Sequence, residues 1–169
     1  MSKGAVIWLT GLSGVGKSTL AKALLPHIAT PRLHLDGDEL REALALLAGG
    51  YDPENRLNLA LTYARLAKLA SDQGQNVVVS TISLFHEVHQ WNRANIDDYF
   101  EIFLHTSSSI LKTRDYKNIY SQGNDNVIGT TIKPQLPLKP DLLIDNSNIT
   151  VDQTLDIVLN ELKQAFRFL

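Results

Sequence analysis

Eight residues near the start of the chain, Gly11-Leu12-Ser13-Gly14-Val15-Gly16-Lys17-Ser18, have the types and spacing needed to hold a polyphosphate. The glycines let successive backbone N–H groups turn inward around an anion, and a helix beginning at Lys17 adds the partial positive charge of its N-terminus at the same spot. The flanks fit that geometry. Ala5-Val6-Ile7-Trp8-Leu9 is an apolar run of strand type, and Leu20, Ala21, Leu24 and Ile28 recur at helical spacing. The expected ligand is a nucleoside triphosphate, cradled by Gly11, Ser13, Gly14, Val15, Gly16, Lys17, Ser18 and Thr19. Lys17 is placed to reach the β- and γ-phosphates and the Ser18 hydroxyl to ligate Mg²⁺.

A second constellation follows the next apolar run: Leu35-Asp36-Gly37-Asp38-Glu39-Leu40-Arg41. Ligands of α/β sheets sit beyond the carboxyl ends of strands, and here two carboxylates emerge at such an end. One can hold Mg²⁺ through water while the other orients an attacking hydroxyl or takes its proton, and the sequence leaves open which does which. The bland alternative is a turn at Asp36 and a helix cap at Asp38. Arg41 is placed to pair with an anionic acceptor. The run Asn76–Thr81 ends without the aspartate that often closes such a strand, which shifts metal duty to Ser18 with Asp36 or Asp38. Beyond it, Ser83 can contact the acceptor, Phe85 and Trp91 read as core residues, and Arg93 is either an anion clamp or half of a surface ion pair. Arg114 and Lys117 open a stretch rich in Gly and Pro, where cations serve phosphoryl transfer once a lid closes.

These residues need a scaffold that brings strand ends together. Strands are expected at 5–9, 32–35, 76–81, 99–105 and 141–144, and helices at 17–28, 38–48, 54–73, 84–95, 107–114 and 151–167. That alternation specifies an α/β fold, a three-layer α/β/α sandwich of the P-loop NTPase type with a mainly parallel five-stranded sheet. Thr150 and Gln153 read as a capping box for the last helix, with Val151, Leu155, Val158, Leu162, Ala165 and Leu169 along one face. Residues from about 115 to 140 carry little periodicity and read as a lid.

With 169 residues the chain is expected to be one domain, residues 1–169. It has no cysteine, so disulfides and thiolate chemistry are excluded. A net charge of −2 argues against a nucleic-acid partner, and the absence of a run of roughly 20 apolar residues against a membrane span. A soluble, cytoplasmic protein acting on a small phosphorylated partner is expected, and a homodimer stays open.

Taken together, these motifs resemble the adenylylsulfate kinase family, P-loop enzymes that move the γ-phosphate of ATP to the 3′-hydroxyl of adenosine 5′-phosphosulfate. The resemblance rests on Gly11–Ala21, on Asp36-Gly37-Asp38 with Arg41, on Arg114-Asp115 with Lys117 and Tyr120 at the lid, and on Pro140-Asp141-Leu142. It implies ATP and Mg²⁺ as cofactors, Lys17, Asp36, Asp38 and Lys117 as catalytic residues, and Arg114 on the nucleotide. It also implies an acceptor site of Asp38, Arg41, Tyr51, Arg56, Ile82, Ser83, Arg93 and Val127. The departures fall on the acceptor side: Asn58-Leu59-Ala60-Leu61-Thr62 replaces a polar run, Leu84-Phe85 replaces Pro-Tyr, and Val127 stands where an aromatic stacks on the acceptor base. In these the chain is similar to a divergent branch associated with surface-polysaccharide modification, which includes cytidine diphosphoramidate kinase. A regulatory module that binds nucleotide without transfer is the rival reading.

Overall fold

The computed structural model describes residues 2–114 and 127–166, and of Leu46 only the backbone. Five strands, β1 (Val6–Thr10), β2 (Arg32–Asp36), β3 (Asn76–Thr81), β4 (Tyr99–His105) and β5 (Leu142–Asp145), pair in the order β2-β3-β1-β4-β5, parallel at every junction. Parallel strands need crossovers, and these are α1 (Lys17–Leu24), α2 (Gly37–Leu44), α3 (Pro53–Asp72), α4 (His86–Asn95) and α5 (Ser108–Thr113), with α6 (Val151–Ala165) after the last strand. Because helices cover both faces, the central strands are mostly apolar, with Glu101 of β4 a buried charged exception. Ile7, Leu9, Ile102 and Leu104 pack with Leu20 and Leu24 of α1 and Val158 and Leu162 of α6. Val6, Trp8 and Phe103 point the other way, onto Ala60, Ala64 and Ala67 of α3 and Val88 of α4.

Four helices differ from the sequence expectation by two residues or more at an end, α6 among them, which stops at Ala165 rather than 167. α1 stops at Leu24 rather than continuing to 28, and a 3₁₀ turn over Leu25–His27 takes over where Pro26 withholds an amide. α2 ends at Leu44, and a 3₁₀ turn follows over Ala45–Ala48, with Ala45 at φ 46°. α4 begins at His86, because Leu84 and Phe85 first turn into the core.

The capping box at α6 is present: Gln153 N donates to Thr150 Oγ1 at 3.2 Å, and Thr150 N donates to Gln153 Oε1 at 2.9 Å. The stripe is displaced from its expected line. Val151 and Ala165 are exposed, whereas Thr154, Val158, Leu162 and Phe166 are buried, the last edge-on to Phe100. Of the expected lid, residues 115–126, Lys117 among them, lie outside the described residues. Val127–Ile132 form a tight turn in which the amides of residues 130, 131 and 132 all donate to Val127 O, and Gln135 N then bonds Leu84 O at 3.0 Å. Among the described residues no helix is long and apolar enough to cross a membrane.

Thr150→Ala removes one half of the box. Loss of such a cap costs about 1 kcal/mol, so the midpoint of thermal unfolding should fall by about 2–4 °C. An unchanged midpoint would show that packing alone sets where α6 starts.

Candidate active site

The carboxyl ends of β1, β2, β3 and β5 open on one cleft of about 1180 Å³. Its floor is the loop after β1. Gly11 does not line the cleft as expected; it lies behind it, where a Cβ would come within 2.4 Å of Leu104 O on β4. Gly14 and Gly16 take φ of 81° and 94°, a backbone region that other residues enter only with strain, and Ser13 to Thr19 line the cleft. Gly16 caps α1 without a side chain, which leaves the first-turn amides to an anion. Lys17 is nine-tenths buried and donates to Leu12 O at 2.8 Å, so its ammonium is held against the loop it serves.

Asp36 ends β2 opposite this floor. Oδ2 accepts from Ser18 Oγ at 2.6 Å, and Oδ1 accepts from Asp38 N at 3.0 Å. Asp36 is therefore the cap of α2, a duty that the sequence alone assigned to Asp38 in its bland reading. Burial opposes charge on Asp36, but hydrogen bonds from Ser18, Ser80 and the Asp38 amide outweigh it and hold the carboxyl below its ordinary range. Asp38 sits in the first turn of α2 and lines the cleft beside Gly37. Tyr63 of α3 braces this corner by donating to Gly37 O at 3.0 Å, and burial pushes its phenol up to about 12.

At one end of the cleft two guanidinium groups approach the Tyr51 ring, Arg41 at 4.2 Å and Arg56 at 5.0 Å from its centre. Arg41 also donates to Gly49 O at 3.2 Å, and Arg56 to Tyr51 O at 2.7 Å. Burial, and then the Arg41 charge, lower the Arg56 pKa. Two cations kept this close favour an anion between them. Ile82 and Ser83 line the next wall, with Ser83 at φ 31° and its hydroxyl 2.9 Å from Thr81 Oγ1, a strained backbone of the kind that concentrates at working sites. Val127 and Ile128 close this side, and Gly129 packs so near Leu12 that a Cβ would lie 2.9 Å from it. Arg114 stands at the other end with Thr113, across from Ile149 and Val151.

The structure thus gathers Asp36, Asp38, Arg41, Tyr51, Arg56, Ile82, Ser83, Arg114 and Val127 around the phosphate loop. Arg93 is not among them. Its guanidinium reaches Glu101 Oε2 and Asp141 Oδ2, each at 3.0 Å, and Lys139 O at 2.7 Å, on the far side of α4 from the cleft wall. Glu101 is 1% exposed and also holds His89, so a buried carboxylate, not a ligand, claims the arginine. Trp91 is likewise away from the cleft, facing Arg65, whereas Phe85 belongs to both core and cleft wall.

Several cleft residues carry no motif. Asn146, just past β5, donates from Nδ2 to Val15 O at 2.7 Å; the rule that sites lie beyond strand ends is the signal that points to it. Leu59, Ala60 and Tyr63 follow Arg56 at helical spacing, and Ile149 and Val151 flank the cap of α6.

Residues 3–145 match the family described as adenylylsulphate kinase. Over 165 residues, covering 93% of this chain and 95% of the relative, the chain is 38% identical to the cytidine diphosphoramidate kinase of Campylobacter jejuni. It is 33% identical to the adenylyl-sulfate kinase of Oceanobacillus iheyensis, with 95% of this chain and 85% of the relative covered. Among solved structures, the Mycobacterium tuberculosis APS kinase in complex with AMPPNP and APS superposes with a TM-score of 0.83 at 30% identity, covering 96% of this chain and 99% of that one. The chain belongs to the adenylylsulfate kinase family.

Arg93→Gln leaves Glu101 with a weakened set of partners and should cost about 1–2 kcal/mol. That is below the roughly 3–5 of a fully buried pair, because the Arg93 side chain is 37% exposed. Denaturant unfolding should register that loss while ATP affinity stays at the wild-type value. A variant of full stability but poor substrate binding would restore Arg93 to the acceptor site.

Proposed function

We propose that this member of the adenylylsulfate kinase family transfers the γ-phosphate of ATP, with Mg²⁺, to the ribose 3′-hydroxyl of a small nucleotide-linked acceptor. The observation that carries the reading is the Ser18–Asp36 contact across the mouth of the phosphate loop, with Asp38 beside it and the Arg41–Tyr51–Arg56 group at the far end of the same cleft. Ser18 Oγ and the Asp36 carboxylate are an oxygen-only donor set, the kind a hard cation takes while keeping waters and phosphate oxygens. When bound, Mg²⁺ supplies charge neutralisation at the β- and γ-oxygens.

The chain's own residues do the rest. Lys17 exchanges the Leu12 carbonyl for phosphate oxygens, and the amides of the loop and first turn of α1 hold the β-phosphate. Asp36, committed to Ser18 and to the cap of α2, takes the metal side. Asp38 takes the hydroxyl side, orienting the 3′-oxygen and receiving its proton as the new P–O bond forms and the bond to ADP breaks. Arg41 and Arg56 hold the acceptor's anionic group, Arg114 the nucleotide, and Lys117 is assigned to the migrating phosphoryl group. We place this chemistry in the cytoplasm, with a homodimer as the candidate assembly.

A cytidine-linked acceptor is the second reading, and a specific observation favours it. Val127, Ile128, Leu59 and Ala60 line the cleft, where Phe85 and Tyr63 are buried, so the exposed ring of Tyr51 beside the arginine pair is the stacking surface. A purine forfeits more stacking area there than a pyrimidine.

Lys17→Ala should lower kcat by about 10²–10³ while the fold is kept, since the group lost is an electrostatic contact to the transition state. ADP release followed with and without acceptor checks this, and acceptor-independent behaviour would favour the rival, a nucleotide-binding module. Base stacking is worth about 1–3 kcal/mol, so Val127→Phe should raise kcat/KM for adenosine 5′-phosphosulfate about tenfold or more and leave a cytidine-linked acceptor little changed. Low-micromolar KM for adenosine 5′-phosphosulfate in the unmodified protein would return the chain to ordinary sulfate activation.

A further inference from the structure

β3 ends in Ser80 and Thr81, without a carboxylate to steady the metal side of the cleft. Something else steadies it. Ser80, 2% exposed, is the register partner of Asp36 on the neighbouring strand and donates from Oγ to Asp36 Oδ2 at 2.6 Å, the same oxygen that Ser18 reaches. His34 lies two residues before Asp36 on β2, and its Nε2 is 2.9 Å from Ser80 Oγ. The hydroxyl of Ser80 has one proton, and Asp36 takes it. His34 Nε2 must therefore be the donor to Ser80, which fixes the imidazole with its hydrogen on that nitrogen. The chain of donation runs from His34 to Ser80 to Asp36.

We propose that Ser80 and His34 are positioning residues that fix the Asp36 carboxylate for the metal side of the reaction, in place of the carboxylate β3 lacks; this rests on the reading of the cleft as a Mg·ATP site. The Asp38 amide pins Oδ1 from its own helix. Oδ2 has two hydroxyl donors: Ser18 would turn an oxygen lone pair to a cation while its proton stays directed at Asp36, so a bound cation resets its position. Ser80 keeps its share, because its proton is committed to Asp36 by the donor behind it. Partners of this outer kind orient a metal-side carboxylate without touching the metal, and their removal typically weakens metal binding by roughly 10–100-fold.

The test is calorimetric titration of ATP into the whole protein across a Mg²⁺ series and in EDTA, alongside kcat. Ser80→Ala should raise the Mg²⁺ concentration that half-restores ATP affinity by about tenfold. Affinity in EDTA should stay within about twofold of wild type, and kcat should return at saturating Mg²⁺, because the loop and Lys17 are untouched. Ser80→Thr, which keeps the hydroxyl, should behave as wild type. His34→Leu should shift the Mg²⁺ requirement in the same direction, and the double variant with Ser80→Ala should shift it no further than Ser80→Ala alone. An unchanged Mg²⁺ requirement in Ser80→Ala overturns the proposal, as does a loss of affinity equal at every Mg²⁺ concentration, which is what a merely structural Ser80 would produce. Additive shifts in the double variant overturn the link through His34. If the wild-type protein itself binds ATP with no Mg²⁺ dependence, the reading beneath the proposal fails with it, an outcome visible before any variant is made.

Discussion

The turn from β1 into α1 has to carry the backbone of residues 11–16 around a concavity with its N–H groups facing in, and that constraint organises the molecule. It takes positive φ at Gly11, Gly14 and Gly16, and no room for a side chain where Gly11 passes Leu104. A loop so shaped gains little from its own contacts, and the rest of the fold supports it. Asn146 past β5 ties down Val15 O, the Val127–Ile132 turn packs Gly129 against Leu12, and Lys17 bonds back to Leu12 O. Each tie comes from a different part of the sequence, so the cradle is rigid only when the sheet is complete.

The polar groups of the molecule fall into two populations with different logic. In the cleft, Arg41 and Arg56 donate to carbonyls eight and five residues away, and Asp36 is held by the Asp38 amide and by the hydroxyls of Ser18 and Ser80. Behind α4, His89, Arg93 and Asp141 gather around Glu101, a carboxylate with 1% exposure: His89 Nδ1 and Arg93 contact its oxygens, and Asp141 pairs with Arg93 and accepts from Glu101 N at 2.7 Å. Such a cluster is weak evidence for net stability but a strong constraint on which residues must meet, since removing one partner strands the others in a medium of low dielectric.

The sheet and the phosphate loop were legible because their signals are local: buried parallel strands are apolar runs, and the loop is a fixed spacing of glycines before a lysine. The same holds for the capping box at Thr150. Helix ends at Leu24 and Leu44 were less legible, since a 3₁₀ turn satisfies the same hydrophobic spacing for a few residues more. Arg93 was misplaced for a different reason. An arginine near a strand end has the same appearance whether an anionic ligand or a carboxylate 48 residues away takes it, and the choice of Asp141 is made only by the packing of β5 beside β4. Asn146, Ile149 and Val151 escaped because a cleft wall has no spacing rule of its own.

The central position of β1 carries a consequence for how the chain is made. Val6 pairs with Val77 on one side and with Tyr99 on the other, so the first strand synthesised is flanked on both sides only after the fourth is made. At roughly 5–20 residues per second on the ribosome, the chain needs on the order of 5–20 seconds to grow from β1 to β4, with β3 the first of the two partners to arrive. The nucleotide loop cannot be closed against Leu104 before β4 is in place, so α3 and β3 can cover Trp8 earlier than the phosphate cradle can be completed.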